Sequence, residues 1–350
     1  MVLSFLTFGL FSALLANVLA LPVQHELETR ATLQPIMGGA NFPDPSVIKT
    51  DQGWTIFSTW ALVNGKRVNI QKAFTSDYKN WQFSPGADAL PNLPSWVDSG
   101  NARVVSELKT SPSSPDTDCQ QWAPDVVQLG PNNFIMYYTA ALKSQPKLHC
   151  LSFAKSNNVA GPYVDTSSQP WICPTGQGGA IDPAGYLDPK DGTRWVTYKI
   201  DGNAIGHGGE CGNTVAPIVP TPLMLQQVGQ DGVTKIGNPV QILTNGPNDG
   251  AYIEAPSLTK LGGKYVLFFS PQCYTTPKYS VEYATADSVK GPYTRRGQLL
   301  ATGKDGLKAP GGLDIAINGD HAIWHGDFGS GRASYTGFLS LSGNTVTVRY

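Results

Sequence analysis

The sequence is short of charge: Asp, Glu, Lys and Arg make up 15% of its 350 residues, against about 25% in ordinary soluble domains. The two signs nearly cancel, with 25 basic and 26 acidic residues and a net charge of −1. Such a balance leaves no electrostatic footprint for nucleic acid or an anionic membrane surface. A second long hydrophobic run is missing too. Beyond Met1–Leu21, no stretch has the about 18 apolar residues that span a bilayer. The five cysteines, at 119, 150, 173, 211 and 273, form no Cys-x-x-Cys pair, which removes metal-knuckle and redox-motif readings. Gly-x-Ser-x-Gly, a Walker-type loop, His-Glu-x-x-His and Gly-x-Gly-x-x-Gly are all absent. Esterase, nucleotide-dependent and zinc-protease chemistry therefore have no support. No Asn-x-Ser/Thr occurs, so N-glycosylation is not expected.

Turn formers are abundant instead. The chain has 38 glycines and 27 prolines, roughly 19% of its residues against an ordinary usage of about 12%. Many turns with few charges argue for an all-β protein and against a helix bundle or a disordered chain. The opening Met1–Leu21 run is uncharged and ends on Val18-Leu19-Ala20 before turning polar at Gln24-His25-Glu26. That pattern predicts a signal peptide over 1–20, with an N-terminal anchor as the alternative. Residues 21–38 then read as a lead-in or pro-region, and 39–350 as the folded domain of a secreted monomer. In that setting five cysteines imply one or two disulfides and at least one unpaired thiol.

A repeat organises the mature chain. Five segments share an acidic residue, usually beside proline, then a short apolar strand, a Gly/Asn/Asp turn and an aromatic-rich strand. They start at Phe42-Pro43-Asp44-Pro45, Ala123-Pro124-Asp125, Ile181-Asp182-Pro183, Ile253-Glu254-Ala255-Pro256 and Leu313-Asp314. The aromatic strands are Trp54–Phe57, Phe134–Tyr138, Trp195–Tyr198, Tyr265–Phe269 and Ala322–His325. Two copies continue to Gly161-Pro162-Tyr163 and Gly291-Pro292-Tyr293. One such sheet cannot cover both its faces, whereas units stacked radially cover each other. The repeat therefore predicts a five-bladed β-propeller in one domain, with two sandwich domains as the alternative. If the five acids occupy equivalent inner-strand positions, they crowd one end of the central channel. Crowded carboxylates push one another's pKa values apart, so one stays protonated while another works as a base. The irregular stretch Ser84–Gln121 is too long for a passive connection and is expected to flank a functional face.

Four of these motifs, in order, resemble the blade motifs of glycoside hydrolase family 43, as do the two Gly-Pro-Tyr strand ends. The likeness runs from about Gly39 to the C-terminus. It implies a five-bladed propeller that hydrolyses arabinose- or xylose-containing plant polysaccharides with inversion. It also implies no required cofactor. Carried over residue by residue, Asp44 resembles the base that activates water and Glu254 the acid that protonates the leaving oxygen. Asp182 resembles the carboxylate that raises the acid's pKa and orients it. Inversion needs the two carboxyl groups about 6.5–9.5 Å apart. Asp125 is expected to support a turn. Phe42, Trp122 and Arg332 are the expected sugar contacts: Trp122 as an apolar wall, Arg332 as a reader of a sugar hydroxyl. One departure stands out. Where the family carries Pro-Gly-His, this chain has Pro310-Gly311-Gly312. That puts a channel-bound calcium in doubt and makes His207, in Gly206-His207-Gly208-Gly209, the candidate to fill the space. A retaining invertase-like fructosidase and a non-catalytic carbohydrate-binding propeller are the alternative functions.

Overall fold

The computed structural model describes residues 32–98 and 121–350, besides Met1. The expected leader and Cys119 lie outside the described residues. Thr32–Tyr350 forms one unit, and five consecutive sheets compose it as a five-bladed propeller. The inner strands are Ser46–Thr50, Gln121–Gly130, Ala180–Leu187, Ile253–Leu261 and Gly311–Ile315. Each pairs with an antiparallel second strand: Gly53–Ser58, Asn133–Leu142, Arg194–Ile200, Lys264–Pro271 and His321–Phe328. Those second strands hold all five predicted aromatic stretches. Most are buried along nearly their whole length, because a neighbouring blade covers each face. The apolar clusters sit between blades accordingly. Phe57 of blade I meets Met136 and Tyr138 of blade II, while Phe268 of blade IV meets Trp324 of blade V.

Both Gly-Pro-Tyr ends adopt one conformation. Gly161 and Gly291 have φ near +80°, and each tyrosine hydroxyl donates to the carbonyl four residues back. Leu33–Gly39, at the junction of the expected lead-in, packs on blade V through Leu33 N–H to Asp305 O and a 3-10 turn at Ile36–Gly39.

The start of each inner strand carries the feature that builds the site. Asp44, Ala123, Asp182, Ala255 and Gly312 are equivalent, and all five adopt the left-handed conformation, with φ between 44° and 57°. In blades II to V the register with the second strand shifts just there, the mark of a β-bulge. Proline follows in four of the five, which spares an unpaired bulge residue from presenting a lone N–H.

This register corrects one expectation. The five repeat acids are not equivalent. Asp44 and Asp182 occupy the left-handed position itself, Glu254 stands one residue before it, and Asp125 and Asp314 stand two residues after. The first three therefore gather at one end of the channel, and the last two lie further along it. There Asp125 and Asp314 hold blades together. Asp125 accepts from Gly185 N–H at 2.6 Å, and Asp314 accepts from Val47 N–H at 2.8 Å and Ser257 O–H at 2.7 Å. Asp314→Ala leaves two buried donors on two other blades without a partner, each worth about 1–3 kcal/mol. A loss of about 2–4 kcal/mol is expected, read as a lower urea midpoint at unchanged m-value. A midpoint equal to wild type would show that these bonds do not hold the ring.

Candidate active site

The channel mouth lies where inner strands begin and second strands end. The acids at this end sit in contrasting surroundings. Asp44 accepts from the Arg332 guanidinium at 2.9 Å on one oxygen and from the Thr59 hydroxyl at 2.6 Å on the other. Burial alone would raise its carboxyl, but Arg332 and the Thr59 bond outweigh burial and hold it below the usual range. Its side chain remains 22% exposed, so a solvent molecule can reach it.

Asp182 and Glu254 lie on the other side. Asp182 has one donor, Ala255 N–H at 2.9 Å, and faces the Glu254 carboxyl. Burial, reinforced by Glu254, pushes Asp182 up to about 8. Glu254 accepts from the Tyr279 hydroxyl at 2.7 Å and from Lys199 Nζ at 3.2 Å. Burial raises it as well, although Lys199 and Tyr279 counteract much of that effect. The arrangement keeps an ionised carboxylate at Asp44 opposite a pair that retains a proton near neutrality.

Below the mouth, a cavity of about 40 Å³ is lined by the five left-handed residues and those that follow them, among them Asp44, Asp125, Asp182 and Asp314. Both oxygens of Asp44 and of Asp314 already accept from the protein. Among the described residues no three His, Cys, Asp or Glu side chains converge as metal ligands. This donor set does not fit a calcium ion. His207 does not fill the space of the missing histidine, since it is exposed on the loop after Ile200. His325 fills it instead. A Cβ on Gly312 would fall 2.9 Å from the His325 ring, so glycine there makes room for that imidazole. His325 Nδ1 accepts from Asp44 N–H at 3.0 Å, and burial with nearby Arg332 pushes the ring down to about 3, keeping it neutral.

The other expected contacts divide. Trp122 is half-buried at the start of blade II and stacks on His149, with ring centroids 3.9 Å apart. Arg332 comes to the site, but its guanidinium grips Asp44 and lies over the Tyr274 ring at 5.2 Å. Phe42 turns away from it. The ring is fully buried, edge-on to Phe83 and packed with Val47 and Ile56, so it cannot meet a sugar.

Sequence reasoning missed Lys199, Thr59, Tyr279 and His325. The visible signal was Lys199 itself, a cation closing the apolar strand Trp195–Ile200. Among the described residues two disulfides form, Cys150–Cys173 and Cys211–Cys273, within the expected number. The second ties the loop after Ile200 to the loop after Pro271, and Cys211 Sγ lies 3.1 Å from the Tyr252 hydroxyl.

Comparison with known proteins places this fold. A thermostable family-43 glycoside hydrolase superposes with a TM-score of 0.69 over 91% of this chain and 96% of its own, at 21% identity. The native Bacillus subtilis arabinanase superposes at 0.59, covering 88% and 97%, at 22% identity. In sequence, extracellular endo-alpha-(1->5)-L-arabinanase 1 of Bacillus subtilis is 25% identical over 295 residues, 81% of this chain and 79% of that protein. The beta-D-galactofuranosidase xynD of Aspergillus niger is 23% identical over 286 residues, 77% and 74% of the two chains. The protein is thus a glycoside hydrolase built on a five-bladed propeller. It belongs to glycosyl hydrolases family 43, whose sequence model matches residues 33–324. The invertase-like and purely binding alternatives fall with that assignment.

Proposed function

We propose that the protein is an inverting hydrolase of arabinose-containing plant cell-wall polysaccharides, with arabinan ahead of xylan. Asp44 acts as base, Glu254 as acid, and Asp182 orients the acid and sustains its proton. The observation that carries this reading is the asymmetry of charge around the carboxyls. Asp44 is held ionised by Arg332, while burial keeps a proton on the Asp182–Glu254 pair. Water approaching the anomeric carbon gives its proton to Asp44 as Glu254 protonates the departing oxygen. Trp122 offers an apolar face beside that position, and Arg332 fixes the base.

The preference for arabinan rests on the Bacillus subtilis relative's name and on the span of that match. Action outside the cell is supported by two disulfides, which persist in oxidising compartments, and by the extracellular designation of that relative. The test is sugar release from linear arabinan, xylan and sucrose, with the first-formed anomer followed by NMR. Arabinose-containing products of inverted configuration are expected. Retention would remove Asp44 as a water-activating base, and inertness on arabinan would remove the substrate assignment.

A further inference from the structure

One position breaks the repeat of the five blades. Near the end of each second strand, the residue opposite the position before the left-handed one is Thr59, Thr139, Lys199, Ser270 or His325. In four blades that side chain accepts the N–H of the next blade's left-handed residue. Thr59 takes Ala123 at 3.1 Å, Thr139 takes Asp182 at 3.1 Å, Ser270 takes Gly312 at 3.0 Å and His325 takes Asp44 at 3.0 Å. This is the ring's own stitch, and a small hydroxyl suffices for it.

Blade III cannot make the stitch. A lysine ammonium has three donors and no acceptor, so it cannot take the Ala255 N–H. Asp182 takes it instead, at 2.9 Å. Lys199 turns its Nζ to Glu254 at 3.2 Å and Asp201 at 3.1 Å, 3.9 Å from the Tyr252 ring centroid, with its side chain wholly out of solvent. Burying an ammonium is costly even when paired. Structure alone would favour threonine there.

We propose that Lys199 is a positioning residue for the acid, replacing a structural stitch with a fixed cation beside Glu254. The proposal rests on Glu254 being the acid. As the bond from the anomeric carbon to the leaving oxygen breaks, the Glu254 proton passes to that oxygen and a carboxylate remains. Water adds to the anomeric carbon and its proton passes to Asp44. Lys199 stands 3.2 Å from the carboxylate that forms, so it stabilises charge that develops only during the reaction. The same substitution recruits Asp182 to the peptide next to Glu254, which fixes the two carboxyls relative to each other. The charged and titratable groups facing Glu254 are Lys199 with Asp201 behind it, Tyr252 and Tyr279, Asp182, Asp44 and Arg332.

The experiment compares Lys199→Thr and Lys199→Met in the full chain with wild type and Glu254→Gln. Threonine fits the stitch of two sister blades. Methionine keeps much of the length without the charge, so a folding defect in one variant does not decide the result. Without the cation, Glu254 holds its proton to higher pH. The alkaline limb of kcat/KM should therefore move up by about 1–3 pH units. On arabinan, kcat should lose part of the about 10²–10⁴ that general acid catalysis supplies. On an aryl arabinoside with an acidic leaving group, the loss should disappear. An alkaline limb that stays in place in both folded variants overturns the proposal. If Glu254→Gln itself keeps wild-type turnover and the same limb, the acid assignment fails instead, which separates the two.

Discussion

Glu254→Gln is expected to lower kcat on arabinan by about 10²–10⁴ while leaving the fold intact. Glutamine has nearly the same volume and can turn its carbonyl oxygen to Lys199 Nζ and its amide N–H to the Tyr279 hydroxyl oxygen, so the pocket retains its shape. It loses the transferable proton. The consequence should depend on the leaving group. An arabinan oxygen needs protonation to depart, whereas an aryl oxygen of low pKa does not, so aryl arabinosides should be cleaved at near wild-type rates. Equal losses on both substrates would place Glu254 in a role other than proton donor. Turnover on arabinan within a few-fold of wild type would remove it from the chemistry.

Asp44→Ala should be comparably severe, with a fall of about 10²–10⁴ on every substrate, because water must lose a proton whatever departs. The substitution also strands Arg332 and the Thr59 hydroxyl, both of which now donate to Asp44. Azide needs no base and fits the emptied position. It should restore part of the rate and yield a glycosyl azide of inverted configuration, seen by NMR. A variant that turns over normally without azide would rule out Asp44 as the base. A retained azide product would place the nucleophile on the opposite face of the sugar.

The blades were legible because each repeat is a local pattern: an acid beside proline, a turn, an aromatic strand. The acids at 44, 182 and 254 were legible too, since they stand at repeat starts. Their stations were not. Whether an acid sits on, before or after the left-handed residue depends on the bulge, and the flanking residues look alike. Phe42 was misread for the same reason. Alternation would send residues 42 and 44 to one side, but φ of 50° at Asp44 breaks the period and returns Phe42 to the core. The partners of the carboxyls were hidden by distance along the chain. Lys199 meets Glu254 across 55 residues, and His325 meets Asp44 across 281. Local composition carries no trace of such pairings.

The way the ring shuts bears on how any of these variants is interpreted. Among the described residues each blade is built from one continuous stretch of the chain, so no strand is lent from one end to the other. The first and last blades are joined instead by Asn41 opposite Ala333, Phe42 N–H to Arg332 O, Val47 N–H to Asp314 and Asp44 N–H to His325. The clasp of the circle and the water-activating corner are therefore one object. Damage at Arg332 or His325 loosens the fastening and disarms the reaction together, and rate measurements there need a parallel reading of cohesion.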